Sequence, residues 1–113
     1  MSRLAYAIAF TRNFDSMREF YEEGVGLRIR RQEPRWVEFE TGGAILALHE
    51  MPDENKQGLV PRFVTADLDA ERRALAGRGV RMEGEFRFSQ GRVADVWDPE
   101  DNMISIFEPH EPV

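Results

Sequence analysis

The stretches Asn13-Phe14-Asp15-Ser16-Met17-Arg18 and Asp67-Leu68-Asp69-Ala70-Glu71-Arg72 stand 54 residues apart. They present, in the same order, an amide or acid, an apolar residue, an Asp and an Arg. At the same spacing Tyr21 falls on Leu75, and glycines follow both segments at Gly24 and Gly79. Further on, at a spacing of 58, Val37 to Glu50 lies over Asp95 to Glu108, turn on turn and strand on strand. One small insertion reconciles the two spacings. A self-similar unit of about 50 residues in only two copies suits a pseudo-twofold pair better than a solenoid.

Each copy reads in the same order. Leu4 to Phe10 is a strand, and Asn13 or Asp15 can accept the first free N–H groups of a helix running to about Glu23. Phe14, Met17, Phe20 and Tyr21 share one helical face, and Gly24 suits the left-handed residue after the last turn. Strands follow at about Arg28 to Gln32, Arg35 to Glu40 and Ala44 to Glu50, with Gly42-Gly43 supplying two positive-φ positions of a tight hairpin. The second copy has a strand at Arg62 to Thr65 and a helix at Leu68 to Ala76 whose apolar face is Leu68, Ala74 and Leu75. Its later strands are Arg81 to Glu85, Gly91 to Trp97 and Met103 to Phe107, the last two joined by the turn Asp98-Pro99-Glu100-Asp101-Asn102. The module is βαβββ, used twice. Pro52 to Gly58 is polar and breaker-rich and reads as the connection between modules.

Length and composition agree with this plan. A chain of 113 residues fits one domain, 1–113, with modules of about 1–51 and 59–113. Hydrophobic residues at 42%, including eight Phe and two Trp, supply enough apolar surface to exclude a disordered chain. The absence of Cys removes disulfides, thiolate metal sites and thiol nucleophiles. A formal net charge of -6 argues against nucleic acid as a partner and favours a neutral or cationic small molecule. Leu4 to Phe10 follows Arg3 and Ala5-Tyr6-Ala7 mimics a cleavage site, but the run is too short to span a bilayer and its removal would delete a strand. The expectation is a cytoplasmic protein with no membrane partner. Phosphate-binding glycine loops, zincin helices, nucleophile elbows and calcium loops are absent from the sequence.

Phe20-Tyr21 followed by Gly24-Val25-Gly26-Leu27, and Asp98 to Asn102 running into Ile104-Ser105-Ile106-Phe107-Glu108-Pro109, resemble the vicinal oxygen chelate superfamily. That superfamily includes glyoxalase I, fosfomycin-resistance enzymes, extradiol dioxygenases and bleomycin-resistance proteins. The resemblance spans nearly the whole chain, and Asp101 departs from it where the family usually has Gly. It implies an α+β fold in which the two βαβββ modules form a pseudo-twofold pair of curved mixed sheets around a concave cup, and a homodimer. It also implies four metal-ligand positions, one on the first and one on the last strand of each module, which fall here on Tyr6, Ala47, Val60 and Ser105. Ala and Val have no donor atom, neutral Ser is a feeble ligand and Tyr needs a metal to depress its pKa. The expected site therefore has no metal and no other cofactor.

Strand alternation then lists what lines the cup instead. Trp36 faces His49 across the hairpin, Glu38 faces Ala47 and Glu40 faces Ile45, all on the ligand side, while Val37, Phe39, Leu46 and Leu48 face the helix. Tyr6, Ile8 and Phe10 join them, and Arg62, Val64, Ala94, Val96, Ser105 and Phe107 complete the cup from the second module. The candidate ligand-binding residues are Tyr6, Trp36, Glu38, His49, Arg62, Ser105 and Phe107, with no catalytic residue assigned. Such a lining suits an aromatic or cationic organic molecule, held without metal as in the bleomycin-resistance branch. The blander alternatives are aromatics filling a sheet interior or a dimer contact, solvated carboxylates at Glu38 and Glu40, and an Arg62 that merely pairs with one of them. A metal on Tyr6, Glu38 and His49, serving a diverged glyoxalase-type lyase or isomerase, is the alternative chemistry. Arg28, Arg30 and Arg31 read as a solvated strand edge that discourages aggregation.

Overall fold

The computed structural model describes residues 3–51 and 58–111. The expected intermodule connection, Pro52 to Gly58, lies outside the described residues except for Gly58. The elements run β1 (Arg3–Thr11), α1 (Phe14–Glu19) with a π-helical turn (Phe20–Gly24), β2 (Arg28–Glu33), β3 (Trp36–Glu40) and β4 (Ile45–Glu50). They repeat as β5 (Leu59–Val64), α2 (Leu68–Gly77), β6 (Arg81–Phe88), β7 (Gly91–Trp97) and β8 (Met103–Pro109). Both copies are βαβββ, as the repeat predicts. The chain groups into two compact units, an N-terminal one of Ala5–Val60 and a C-terminal one of Pro61–Val113 with Met1–Leu4. No helix among the described residues is long and apolar enough to cross a membrane.

In the N-terminal unit the strand order is β2-β3-β4-β1, with β1 parallel to β4 and the other pairs antiparallel. The hairpin has the expected register, Trp36 opposite His49 and Glu38 opposite Ala47. Because side chains alternate, that register sends Val37, Phe39 and Leu48 to the other face. There they form a buried cluster with Ala9 and Phe14, against which Met17, Tyr21, Leu27, Ile29 and Leu46 pack. Small Ala9 on β1 lets the helix approach the sheet.

Four local expectations in this unit are corrected. α1 is short and has no side-chain cap bond at Asn13, while Asp15 lies inside its first turn. It then widens, with the Val25 N–H donating to the Phe20 carbonyl and the Leu27 N–H to that of Tyr21, each at 2.9 Å. This π turn breaks the 3.6-residue period, so Phe20 is 56% exposed instead of sharing the buried face with Phe14 and Met17. The left-handed glycine is consequently Gly26, at φ 87°, two residues later than Gly24. At the hairpin only Gly42 has positive φ, and the Thr41 hydroxyl closes the turn by bonding to Ala44 O and accepting from Gly43 N–H.

The C-terminal unit has the order β5-β8-β7-β6, with β5 parallel to β8. Its buried cluster is Leu68, Ala94, Val96 and Ile106, bordered by Phe63, Leu75, Val80, Met82 and Ile104, whereas Ala74 on α2 is exposed. Asp67 caps α2 by accepting from the Ala70 N–H at 3.0 Å. Glu108 adds a second contact by accepting from the Leu68 N–H at 2.8 Å. Arg92 bridges Glu108, Glu85 and Asp69, and its guanidinium is held above its ordinary pKa first by the Glu108 hydrogen bond. These polar groups tie the helix start to the sheet.

Ala94 and Val96 thus face the helix, which corrects their expected place in the cup. The cause is turn length. His49 and Phe107 are 58 residues apart, but their partners Trp36 and Val93 are 57 apart. The Asp98 to Asn102 turn therefore carries one more residue than Thr41 to Ala44, and a fixed spacing carried back across it lands on the wrong face. The true partners of Phe107, Ser105 and Met103 are Val93, Asp95 and Trp97.

Candidate binding surfaces opposite the helices

On the helix-free face of the N-terminal sheet, Tyr6, Ile8 and Phe10 of β1 lie beside Ile45, Ala47 and His49 of β4. Trp36 and Glu38 of β3 continue the row. The His49 ring stands edge-on to Trp36 at 5.3 Å between centroids and tilted against Phe10 at 5.7 Å. Tyr6 is buried. Four of the expected site residues, Tyr6, Trp36, Glu38 and His49, therefore share one face.

Glu38 is not the solvated carboxylate that an open sheet face would give. It is 2% exposed, accepting from Arg30 Nη1 at 2.6 Å and from Trp36 Nε1 at 2.9 Å. A buried carboxylate needs such a paired cation and hydrogen bonds to remain charged. The Arg30 side chain reaches it because the β2–β3 register shifts between Ile29 and Arg31, an irregularity that re-aims the residue in between. Arg30 was expected only at a solvated edge. Glu40, by contrast, is exposed.

In the C-terminal unit the remaining expected residues, Arg62, Ser105 and Phe107, also meet. Arg62 and Ser105 are register partners, and Arg62 Nε donates to Ser105 Oγ at 3.1 Å. The guanidinium carbon then lies 5.0 Å from the Phe107 ring centroid. Phe88 stacks on Phe107 at 5.6 Å with 15° between planes. The stack needs Gly91, since a Cβ there would come within 2.7 Å of the Phe107 ring and 2.2 Å of Glu108 O. Phe88 is 42% exposed and Phe86, paired with Val93 on the same face, is 57% exposed.

Phe86 and Phe88 were missed because the β6 strand was expected to end at Glu85. The alternation of Glu85-Phe86-Arg87-Phe88 before Ser89-Gln90-Gly91 was the available signal, a strand running into a turn.

Three of the four positions that the resemblance assigns to metal, Ala47, Val60 and Ser105, do not fit a cation. Ala47 and Val60 are 0% and 1% exposed hydrocarbon, and the Ser105 hydroxyl is engaged by Arg62. Among the described residues there is no group of three His, Cys, Asp or Glu side chains placed to hold a metal ion.

Comparison with known proteins places the chain in a family. No curated protein matches the chain by sequence. The structure is similar to a glyoxalase/bleomycin resistance protein/dioxygenase superfamily member from Vibrio splendidus 12B01, at 10% identity and TM-score 0.71 over 96% of this chain and 99% of that one. It is similar to methylmalonyl-CoA epimerase from Mycobacterium tuberculosis at 22% identity and TM-score 0.71, covering 96% and 88% of the two chains. A Legionella pneumophila structure described as an NAD-dependent benzaldehyde dehydrogenase matches at 16% identity and TM-score 0.79, over 92% and 97%. Descriptions so unlike one another, at such identities, show a shared α+β fold alone. The family model for the glyoxalase-like domain matches residues 6–107, running through both βαβββ units, and the chain belongs to that glyoxalase-like family.

Proposed function

We propose that this chain is a non-enzymatic binder of a planar aromatic organic molecule, held without metal on the sheet faces that turn away from the helices. The observation that carries the reading is the stack of Arg62, Phe107 and Phe88, whose outer ring is 42% exposed. An exposed ring already aligned on a second ring and a guanidinium offers a rigid stacking platform at little entropic cost. Trp36 and His49 supply a second aromatic pair in the other unit. The aromatic part of the ligand chemistry is better supported than the cationic part, because the Glu38 carboxylate is committed to Arg30 and Trp36. The donor-poor positions Ala47 and Val60 support metal-free binding over a lyase or isomerase.

Thermal shift against a panel of planar aromatics, including bleomycin-like compounds, tests the reading. Stabilisation by aromatic members is expected, and Phe88→Ala should weaken their binding roughly fivefold, beyond the few degrees of ligand-free Tm lost with its stack on Phe107. A panel with no active member sinks the proposal. A melting point that rises with Ni, Zn, Mn or Fe instead would transfer support to the metal-dependent alternative.

A further inference from the structure

The other side of the C-terminal sheet carries a cavity of about 590 Å³, between α2 and the strands, lined by Phe63, Leu75, Val80, Val96, Ile104 and Ile106 among others. It lies on the helix-packed face, opposite Arg62, Ser105 and Phe107, and so is separate from the aromatic stack.

The duplication explains why space exists there. First strands and helices correspond at a spacing of 54, and β3 corresponds to β7 at 57. Met17, Tyr21 and Phe39 of the N-terminal unit thus have Glu71, Leu75 and Val96 as counterparts. In the N-terminal unit the Tyr21 and Phe39 rings pack 5.9 Å apart, and Met17 packs against the same cluster. Their three counterparts all line the cavity. A thioether and two rings have been exchanged for a carboxylate, an isobutyl and an isopropyl group. Phe63, standing where the first unit has Ala9, returns only part of that volume. Space of this size with apolar walls is what a small organic guest requires.

Charge narrows the guest. The polar lining comprises three carboxylates, Glu71, Asp98 and Asp101, against one guanidinium, Arg81. Arg81 is already bound by Asp101 at 2.5 Å and lies 5.6 Å from the Trp97 ring centroid. Three negative charges against one positive leave the lining net acidic, which favours a cationic head over an anionic one. Trp97 also lines the cavity, and its indole N–H is buried with no hydrogen-bond partner among the described residues.

We propose that this cavity is a second ligand site, for a small arylalkyl amine whose ring takes the space that Tyr21 and Phe39 fill in the other unit and whose ammonium group faces the acidic rim.

The test is a ¹H–¹⁵N NMR titration of the full chain with 2-phenylethylamine, 2-phenylethanol and 3-phenylpropionate. The amine should bind saturably, with a Kd on the order of 1 mM or tighter, moving the Trp97 indole signal and the Leu75, Val80 and Val96 amides while leaving the Trp36 indole unmoved. The phenylpropionate should bind about fivefold more weakly. Val96→Phe, alone and combined with Leu75→Tyr and Glu71→Met, refills the space and should weaken amine binding at least about tenfold; the single substitution serves if the triple does not fold. No saturable shift, shifts centred on Trp36 or Phe107, equal binding of acid and amine, or undiminished binding to a folded refilled variant each overturn the proposal. Because Leu75 and Val96 pack on the α2 side of the C-terminal sheet whereas Phe107 lies on its other side, failure at those amides leaves the aromatic stack untouched.

Discussion

Gly91 is the residue on which the aromatic stack depends. Any side chain there meets the Glu108 carbonyl, the Phe107 ring and the Pro109 backbone, all within 2.9 Å of a Cβ. Backbone atoms paired in the β7–β8 ladder cannot retreat as a flexible side chain would. Gly91→Ala should therefore cost at least about 2 kcal/mol in urea unfolding, and a loss below about 0.5 kcal/mol would show that the strands separate easily. Asp98 makes a different kind of prediction. Its carboxylate accepts from the Asn102 N–H and the Glu100 N–H at 2.9 Å each and from the Asn102 amide at 3.0 Å. The backbone bond from Asn102, then its side chain, hold the pKa below the ordinary 3.8. A depressed carboxyl pKa contributes stability that is complete above the unfolded value and is lost as pH falls through the folded one. The Tm difference between wild type and Asp98→Asn should be constant above about pH 5 and shrink below about pH 4. A difference that stays level into strong acid would mean the charge is irrelevant to the turn.

At the scale of elements, the two helices start by different means despite their matching sequences. Asp67 bonds to the Ala70 N–H, whereas Asn13 makes no side-chain cap bond. Asp67→Ala should thus cost about 1 kcal/mol and Asn13→Ala only a few tenths, measured side by side by chemical denaturation. Equal losses would refute the distinction. The strands of the N-terminal unit were legible because Trp36-Val37-Glu38-Phe39-Glu40 and Ile45-Leu46-Ala47-Leu48-His49 alternate cleanly about a glycine turn. What alternation cannot reveal is an interruption of its own period. The π turn at Phe20–Gly24 and the bulge that delivers Arg30 to Glu38 are both such interruptions, and each displaced a side chain from its expected place. Neither leaves a compositional mark as plain as Gly or Pro.

For the molecule as a whole, the βαβββ order and the family were legible because they rest on the succession of many loose signals. The candidate residues were legible only as two groups, Tyr6, Trp36, Glu38 and His49 in one unit and Arg62, Ser105 and Phe107 in the other. Their partners were not. Arg30, Phe86 and Phe88 owe their roles to the bulge, to a strand that outruns its expected end, and to one close approach at Gly91.

The extra residue in the Asp98 to Asn102 turn has a consequence for how the two halves are matched, position by position. A hairpin tip absorbs an insertion without disturbing the ladder below it, so correspondence is counted along the rungs and not along the chain. Counted that way, Glu38 and Asp95 are twins, each opposite the small residue of the last strand, Ala47 or Ser105. A carboxylate at that rung is thus a trait the halves hold in common, while the tryptophan beside it in the first half has only Val93 as its sibling.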